Sequence, residues 1–351
     1  MTDLSECRVR DFATQVVRWQ EAHGRHDLPW QNSRDPYRVW LSEIMLQQTQ
    51  VATVLDYFPR FLARFPDVES LAGAALDEVL GLWSGLGYYS RARNLHVCAQ
   101  TVMELHGGLF PQTALVLQTL PGIGRSTAAA IASLCFSERV AILDGNVKRV
   151  LTRALGFGGD LASVANERRL WDEATRLLPL NDLMQTMPRY TQGLMDLGAT
   201  LCTAKNPSCA VCPLARSCVA KRLGQPHNYP VKTRKLKRSS QSIWLLWARA
   251  EADSVWLSQR PTPGVWAGLY CLPWFDQREA LEEAVPERYR AALQDSPPFT
   301  HVLTHKDLHL HPVQVQMPCT AVASTQGRWI NAQEWPRMGL PAPVRKLLLQ
   351  G

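Results

Sequence analysis

Cys202-Thr203-Ala204-Lys205-Asn206-Pro207-Ser208-Cys209-Ala210-Val211-Cys212-Pro213-Leu214-Ala215-Arg216-Ser217-Cys218 gathers four cysteines in the pattern C-x6-C-x2-C-x5-C. Thiols crowded this closely read as one metal site and not as a disulfide framework, because the chain carries no secretory signal. Only Cys209 and Cys212 form a short knuckle, unlike the paired C-x2-C units of a zinc site. Four thiolates at wider spacing suit a [4Fe–4S] cluster, whose cubane needs more separated ligands than one tetrahedral ion. A structural zinc is the competing reading, and four unrelated core thiols the bland one.

Outward from this loop the texture changes in both directions. Upstream, from Cys7 to Ala220, apolar residues recur at three- and four-residue spacing, which predicts helices broken at Gly85-Leu86-Gly87, Gly107-Gly108 and Pro121-Gly122. Downstream, residues 223–241 hold Pro226, Pro230 and the basic residues Lys232, Arg234, Lys235, Lys237 and Arg238, with few large apolar ones, and read as a linker. Beyond it Ile243–Ala248, Val255–Leu257 and Leu308–Val313 look like strands, and the acidic stretch from Arg278 to Ala292 looks helical. The expected division is therefore an all-α domain over 1–222, a basic linker over 223–241, and a smaller α+β domain over 242–351.

Length and charge agree with this. A chain of 351 residues supports two cores, and a net charge of +7 favours a polyanionic partner. Met1 to Arg18 carries charges and no sustained apolar run, so no signal peptide is expected, and no stretch approaches the roughly 20 apolar residues of a membrane span. Cys7, Cys98, Cys135, Cys271 and Cys319 are scattered, as reduced thiols of a cytosolic protein would be.

Leu120-Pro121-Gly122-Ile123-Gly124-Arg125-Ser126-Thr127 joins two helical segments. Pro121 ends the first, the two glycines permit positive φ and close approach, and the N–H groups of the new helix start can bind a phosphate. This L-P-G-x-G form is that of the helix-hairpin-helix motif, although a glycine-containing turn between helices is the plain alternative. Two carboxylates stand out. Asp35-Pro36 makes an N-cap and first-turn pair for a helix through Trp40, Leu41, Ile44, Met45 and Leu46. Glu43 interrupts that apolar run, so partial desolvation would favour its protonated form and make it a candidate general acid. Asp144, in Leu143-Asp144-Gly145-Asn146-Val147, can be read as a helix cap or as a functional anion.

Ser42–Gln50, Gly85–Tyr89, Leu120–Thr127, Leu143–Val147 and the four cysteines, followed by Gly268-Leu269-Tyr270-Cys271-Leu272-Pro273, resemble in order the MutY family of A/G-specific adenine DNA glycosylases, within the helix-hairpin-helix, endonuclease III superfamily. The resemblance implies a helix-hairpin-helix glycosylase domain with a [4Fe–4S] loop at 202–218, then a Nudix-like domain. It implies a hydrolase of base-excision repair that removes adenine mispaired with 8-oxoguanine or guanine in double-stranded DNA. Glu43 is then the catalytic acid, Asp144 stabilises the sugar cation and Asn146 orients Asp144 or water. Trp30, Gln31 and Gln192 match base-pocket positions, Gln48, Thr49 and Leu86 match positions that enter the duplex, and Gly122, Gly124, Arg125 and Lys148 match phosphate contacts. The cofactor implied is the cluster, the expected state a monomer, and the expected place the cytoplasm, at the nucleoid in a bacterium.

The departures are informative too. The lyase branch of the superfamily carries a lysine where this chain has Ser126, which faces the substrate but cannot form an imine, so efficient strand cutting is not expected. Arg278–Glu283 mimics half of a Nudix hydrolase helix, but Tyr270 and Val285 stand where a glutamate and a glycine are required, so the second domain is expected to bind the lesion without chemistry. The resemblance implies that its reader is Leu303-Thr304-His305, where the family has Phe-Ser-His. Two other classes stay open: a non-catalytic Fe–S DNA-binding protein and a bifunctional pyrimidine glycosylase.

Overall fold

In the computed structural model residues 6–31, 33–233, 237–321, 323 and 326–350 are described, and Arg234 and Lys235 of the basic stretch lie outside them. Packing gathers the chain into two compact units, the first of Met1–Leu62, Asp67–Glu69 and Val97–Lys235, the second of Ala63–Pro66, Ser70–His96 and Leu236–Gly351. The sequence division made one cut near 223–241. The structure instead assigns residues 70–96 to the core of the C-terminal segment, because periodicity identifies a helix without saying which core it serves.

The first unit is helical. Its helices include α1 (Glu6–His23), α2 (Pro36–Leu46), most of α3 (Val51–Arg64), then, after the second-unit helices, α7 (Ala114–Leu117), α8 (Arg125–Phe136), α9 (Gly145–Leu155), α10 (Val164–Arg176), α11 (Leu183–Thr200) and α12 (Val219–Arg222). α2 starts as the sequence predicts: Asp35 caps it by accepting from the Tyr37 N–H at 2.9 Å, and Pro36 supplies the first turn. α8 carries buried Ala128, Ala129, Ala130 and Ala132, small side chains that let neighbouring helices approach, and stops at Ser137 in the left-handed region. Val16, Val147, Leu151, Leu170 and Leu197 are completely buried in the core joining α1 and α8–α11. Each stabilises the fold by about 1.5–3 kcal/mol through burial. α11 passes α9 so closely at Gly198 that an added Cβ would stand 2.5 Å from the Asn146 Cβ.

The second unit holds most of α4 (Val68–Ala72), α5 (Leu76–Trp83), the start of α6 (Ser90–His106) and a mixed sheet. Strands β1 (Ser239–Arg249), β2 (Val255–Gln259), β3 (Tyr270–Cys271), β4 (Trp274–Phe275), β5 (Gln294–Asp295), β6 (Phe299–Val302), β7 (Lys306–Gln316) and β8 (Arg328–Ile330) build it in the order β3-β2-β1-β7-β5, with β4 on β1, β6 on β7 and β8 on β2. β1 and β7 run parallel from Ser239↔Lys306 to Arg249↔Gln316, and every other pair is antiparallel. The predicted strands lie inside β1, β2 and β7, and Leu245–Ala248 are buried as a central parallel strand requires. The acidic stretch forms α13 (Arg278–Ala284) and α14 (Glu287–Arg290), and α13 buries Leu281 against Leu246, Val313 and Val315. Within this unit Ser84 Oγ and Tyr89 Oη donate to the Leu340 carbonyl at 3.0 and 2.8 Å, and Arg93 to the Ala267 carbonyl at 2.6 Å.

Candidate active site

α1, α2 and α11 enclose a cavity of about 460 Å³ lined by Trp30, Gln31, Glu43 and Gln192, together with Arg25 and Leu134. Three sequence-predicted base contacts and the candidate acid thus share one hollow. Trp30 is buried and packs edge-on to Phe58 at 5.4 Å, which fixes that wall. Gln31 is half-buried, but both its amide atoms are buried and neither is hydrogen-bonded, so the cavity contains an amide donor and acceptor. The Gln192 Nε2 donates to Asp196 at 2.9 Å.

Glu43 opens on this cavity from the middle of α2. Burial, and after it the nearby Asp144 charge, push its carboxyl from 4.5 up to about 7. A charge on Asp144 thus adds to the burial that keeps the proton on Glu43. Asp144 is also the N-cap of α9, accepting from the Val147 N–H at 2.7 Å. Burial raises its carboxyl too, opposed by the N–H groups of Val147 and Asn146 and by the charges of Arg149 and Lys148. The cap reading and the functional reading of Asp144 are therefore compatible: the helix start that it caps supplies donors to its anion. Asn146 Oδ1 accepts from Arg149 at 2.7 Å, and the same guanidinium donates to the carbonyls of Gly198 and Cys202, both at 2.6 Å.

That last bond leads to the cysteine loop. Cys202, Cys209, Cys212 and Cys218 are free thiols around one small hollow, capped by Arg153, which donates to Cys202 Sγ at 3.4 Å. Burial raises the Cys212 thiol to about 11, and the charges of Cys202, Cys218 and Cys209 add to the rise. Four thiolates so near one another need a cationic group among them, and the donor set fits an iron–sulfur cluster by its chemistry. Among the described residues no three His, Cys, Asp or Glu side chains are grouped to hold a metal ion as they stand.

The hairpin corrects one expectation. Gly122 takes φ +76°, but Gly124 lies at φ −83° as the extended N-cap of α8. Its value is space and not chirality: an added Cβ at Gly124 meets nothing within 4 Å, so the helix start is open to solvent. Gly122, Gly124 and Arg125 are exposed above buried Ile123, and Arg125 stacks over Trp171 at 3.9 Å. Lys148 is ion-paired with Glu167. Ser126 accepts from the Leu143 N–H at 3.1 Å and so pins the residue before Asp144 to the start of α8, a role the sequence did not suggest.

Gln48 is exposed at φ +57° in the turn after α2, and Thr49 follows it half-buried. In the second unit the expected wedge Leu86 is 5 % exposed, whereas Tyr88 stands out at 42 % with φ +48°. Tyr88 shares a hydrogen bond of 2.8 Å with Thr304, at the exposed turn Leu303-Thr304-His305 between β6 and β7. Arg238 steadies that turn through the Leu303 carbonyl at 3.1 Å and an ion pair with Asp307. The nearby histidines are engaged in the sheet: His309 between Ser240 and Thr300, His311 on Trp244, His301 beside Trp266. On α13, Glu282 pairs with Arg278 at 2.9 Å.

An open helical hairpin, a cavity with a protonated carboxyl beside an anion, and a separate mixed sheet define a base-excision DNA glycosylase with a Nudix-like second unit. A profile described as HhH-GPD superfamily base excision DNA repair protein matches residues 41–174, and one described as NUDIX domain matches 243–350. The adenine DNA glycosylase of Buchnera aphidicola subsp. Acyrthosiphon pisum is 36% identical over 342 residues, covering 96% of each chain. That of Homo sapiens is 33% identical over 419 residues, covering 98% of this chain and 74% of the human one. The solved structure of a thermostable thymine-DNA glycosylase superposes with a TM-score of 0.56 at 27% identity, over 63% of this chain and 100% of that one. The chain belongs to the MutY family of adenine DNA glycosylases. Among the described residues no helix is long and apolar enough to cross a membrane.

Proposed function

We propose that the chain hydrolyses the N-glycosidic bond of adenine mispaired with 8-oxoguanine or guanine in duplex DNA, with the Glu43–Asp144 pair as its chemical centre. The observation that carries this reading is the pairing itself: one carboxyl held protonated to about pH 7 beside one supplied with donors as an anion. Adenine swung out of the stack enters the cavity of Trp30, Gln31 and Gln192. Glu43 donates its proton to N7, the bond to the sugar breaks, and the Asp144 carboxylate faces the oxocarbenium-like sugar. The Glu43 carboxylate then takes a proton from the water that adds to the sugar carbon. Asn146, whose oxygen is taken by Arg149, keeps its NH₂ for that water or for Asp144. Gln48 and Thr49 enter the gap in the duplex, the exposed Tyr88 beside Leu86 is a wedge group of the second unit, and Gly122, Gly124 and Arg125 hold phosphates.

The enzyme works as a monofunctional glycosylase and a monomer. Incubation of a strand-labelled 8-oxoguanine:adenine duplex should release free adenine and leave both strands uncut until alkali is added, since Ser126 offers no amine. Prompt nicking without alkali would contradict this, and an intact glycosidic bond would defeat the reading as a whole.

Cys202, Cys209, Cys212 and Cys218 hold a [4Fe–4S] cluster that supplies a structural cross-link. Arg149 ties their loop to Asn146 and Arg153 clamps it, while Lys205, Arg216 and Lys221 are exposed on and just after it for phosphates. Cys209→Ser should lose visible absorption and DNA affinity together. A colourless wild-type protein with one tightly held zinc would refute the cluster.

Leu303, Thr304 and His305 read the lesion, with Tyr88 holding Thr304 in place. His305→Ala and Thr304→Ala should each lower the preference for 8-oxoguanine:adenine over guanine:adenine by about 1–3 kcal/mol, or roughly five- to 150-fold. Equal losses on both mispairs would mean a folding role instead.

A further inference from the structure

We propose that Asp196 is the positioning residue that fixes which way the Gln192 amide faces, and thereby makes the cavity accept a base with an amine, and reject one with a carbonyl, at its six-position. The inference rests on the reading that the cavity receives the flipped adenine. Gln192 and Asp196 lie one turn apart on the same face of α11. Gln192 lines the cavity, while Asp196 is fully buried outside its lining.

Three groups converge on the Asp196 carboxylate. Arg25 donates its backbone N–H to Oδ2 at 3.0 Å, its Nε to Oδ1 at 2.7 Å, and brings Nη2 to 2.7 Å from Oδ1. Gln192 donates Nε2 to Oδ1 at 2.9 Å. A carboxylate paired with a guanidinium only accepts, so the amide can meet it with nitrogen alone. Turning the amide over would set its oxygen against the oxygen of a fully buried carboxylate. The backbone under Gln192 is equally fixed: at Gly193 an added Cβ would stand 2.9 Å from Val16 Cγ1 and 3.0 Å from Gln20 Cβ, so α11 presses directly on α1.

The consequence for recognition is one of sign. With nitrogen committed to Asp196, Gln192 has its oxygen left for the cavity. An acceptor there pairs with the exocyclic amine of adenine and opposes the six-carbonyl of hypoxanthine or guanine. Gln31 cannot impose this choice, because both its amide atoms are unpartnered and its amide can turn to suit either base. The directed amide is Gln192, and the group that directs it is charged. An asparagine in the place of Asp196 could turn its own amide and let Gln192 turn with it.

The test is single-turnover release from duplexes that place adenine, hypoxanthine or six-unsubstituted purine opposite 8-oxoguanine, using the full-length holoprotein. Asp196→Asn should cut the adenine-to-hypoxanthine rate ratio at least tenfold relative to the unsubstituted chain, with a smaller fall in the adenine-to-purine ratio. A merely structural role would slow all three bases alike and leave the ratios standing, which would overturn the proposal. Where Asp196→Asn fails to fold beside the uncompensated Arg25, Gln192→Met keeps the ion pair and removes the oxygen. It should lose the same discrimination, and an unchanged ratio in that variant overturns the proposal too. If the unsubstituted chain released no adenine at all, the reading of the cavity would fail, which is distinct from adenine release with unmoved ratios.

Discussion

Glu43→Gln is expected to lower single-turnover adenine release by about 10³-fold or more while mismatch binding is retained, in the range assigned to a lost general acid. The amide keeps the size and packing of the side chain on α2 but has no proton to give N7. Burial and the Asp144 charge hold the native carboxyl protonated up to about pH 7, so the wild-type acid is present where the enzyme works. The loss should appear in the chemical step and not in affinity, because the interaction removed develops with the departing base. Near-wild-type single-turnover rates for this variant would refute the assignment.

Asp144→Asn should be impaired by about 10²–10³-fold, the scale for losing one electrostatic partner of a developing charge. The substitution is well suited to the question because asparagine is also a good N-cap, so the bond to the Val147 N–H survives and α9 keeps its start. Stability should therefore change little while the anion facing the sugar is lost. An unfolded variant, or one equally active, would show that Asp144 serves the helix alone. Single-turnover rates beside thermal melts decide between these outcomes.

The sequence disclosed the local elements better than their company. Asp35-Pro36 announced α2, alternation and apolar runs announced β1 and β7, and the interrupted run around Glu43 announced a desolvated carboxyl. Each of these is written within a few neighbouring residues. What stayed hidden depends on contacts between distant ones. Asp196 reads as an ordinary helix carboxylate until Arg25, 171 residues away, is brought to it. The i,i+4 pair of Gln192 and Asp196 was the one local hint. Likewise residues 70–96 read as part of the helical domain because their periodicity is helical, yet their hydrogen bonds run to Ala267 and Leu340. Leu86 matches a family position that enters the duplex, and the turn that holds it leaves it 5 % exposed beside Tyr88 at 42 %, a difference that no local pattern shows. Glycine's freedom was also overread at Gly124, where the backbone is extended and only the empty space matters.

The most direct measurement is the pH dependence of single-turnover adenine release from an 8-oxoguanine:adenine duplex. Glu43 must be protonated to act, and its value of about 7 is raised from 4.5, so the rate should fall tenfold per unit above that point. Asp144 must be ionised, and its raised carboxyl places a second, acidic limb above the ordinary aspartate value of 3.8. A bell whose alkaline limb disappears in Glu43→Gln is the predicted result. A wild-type profile flat through pH 6–9, or an alkaline limb that persists unchanged in Glu43→Gln, would contradict the account.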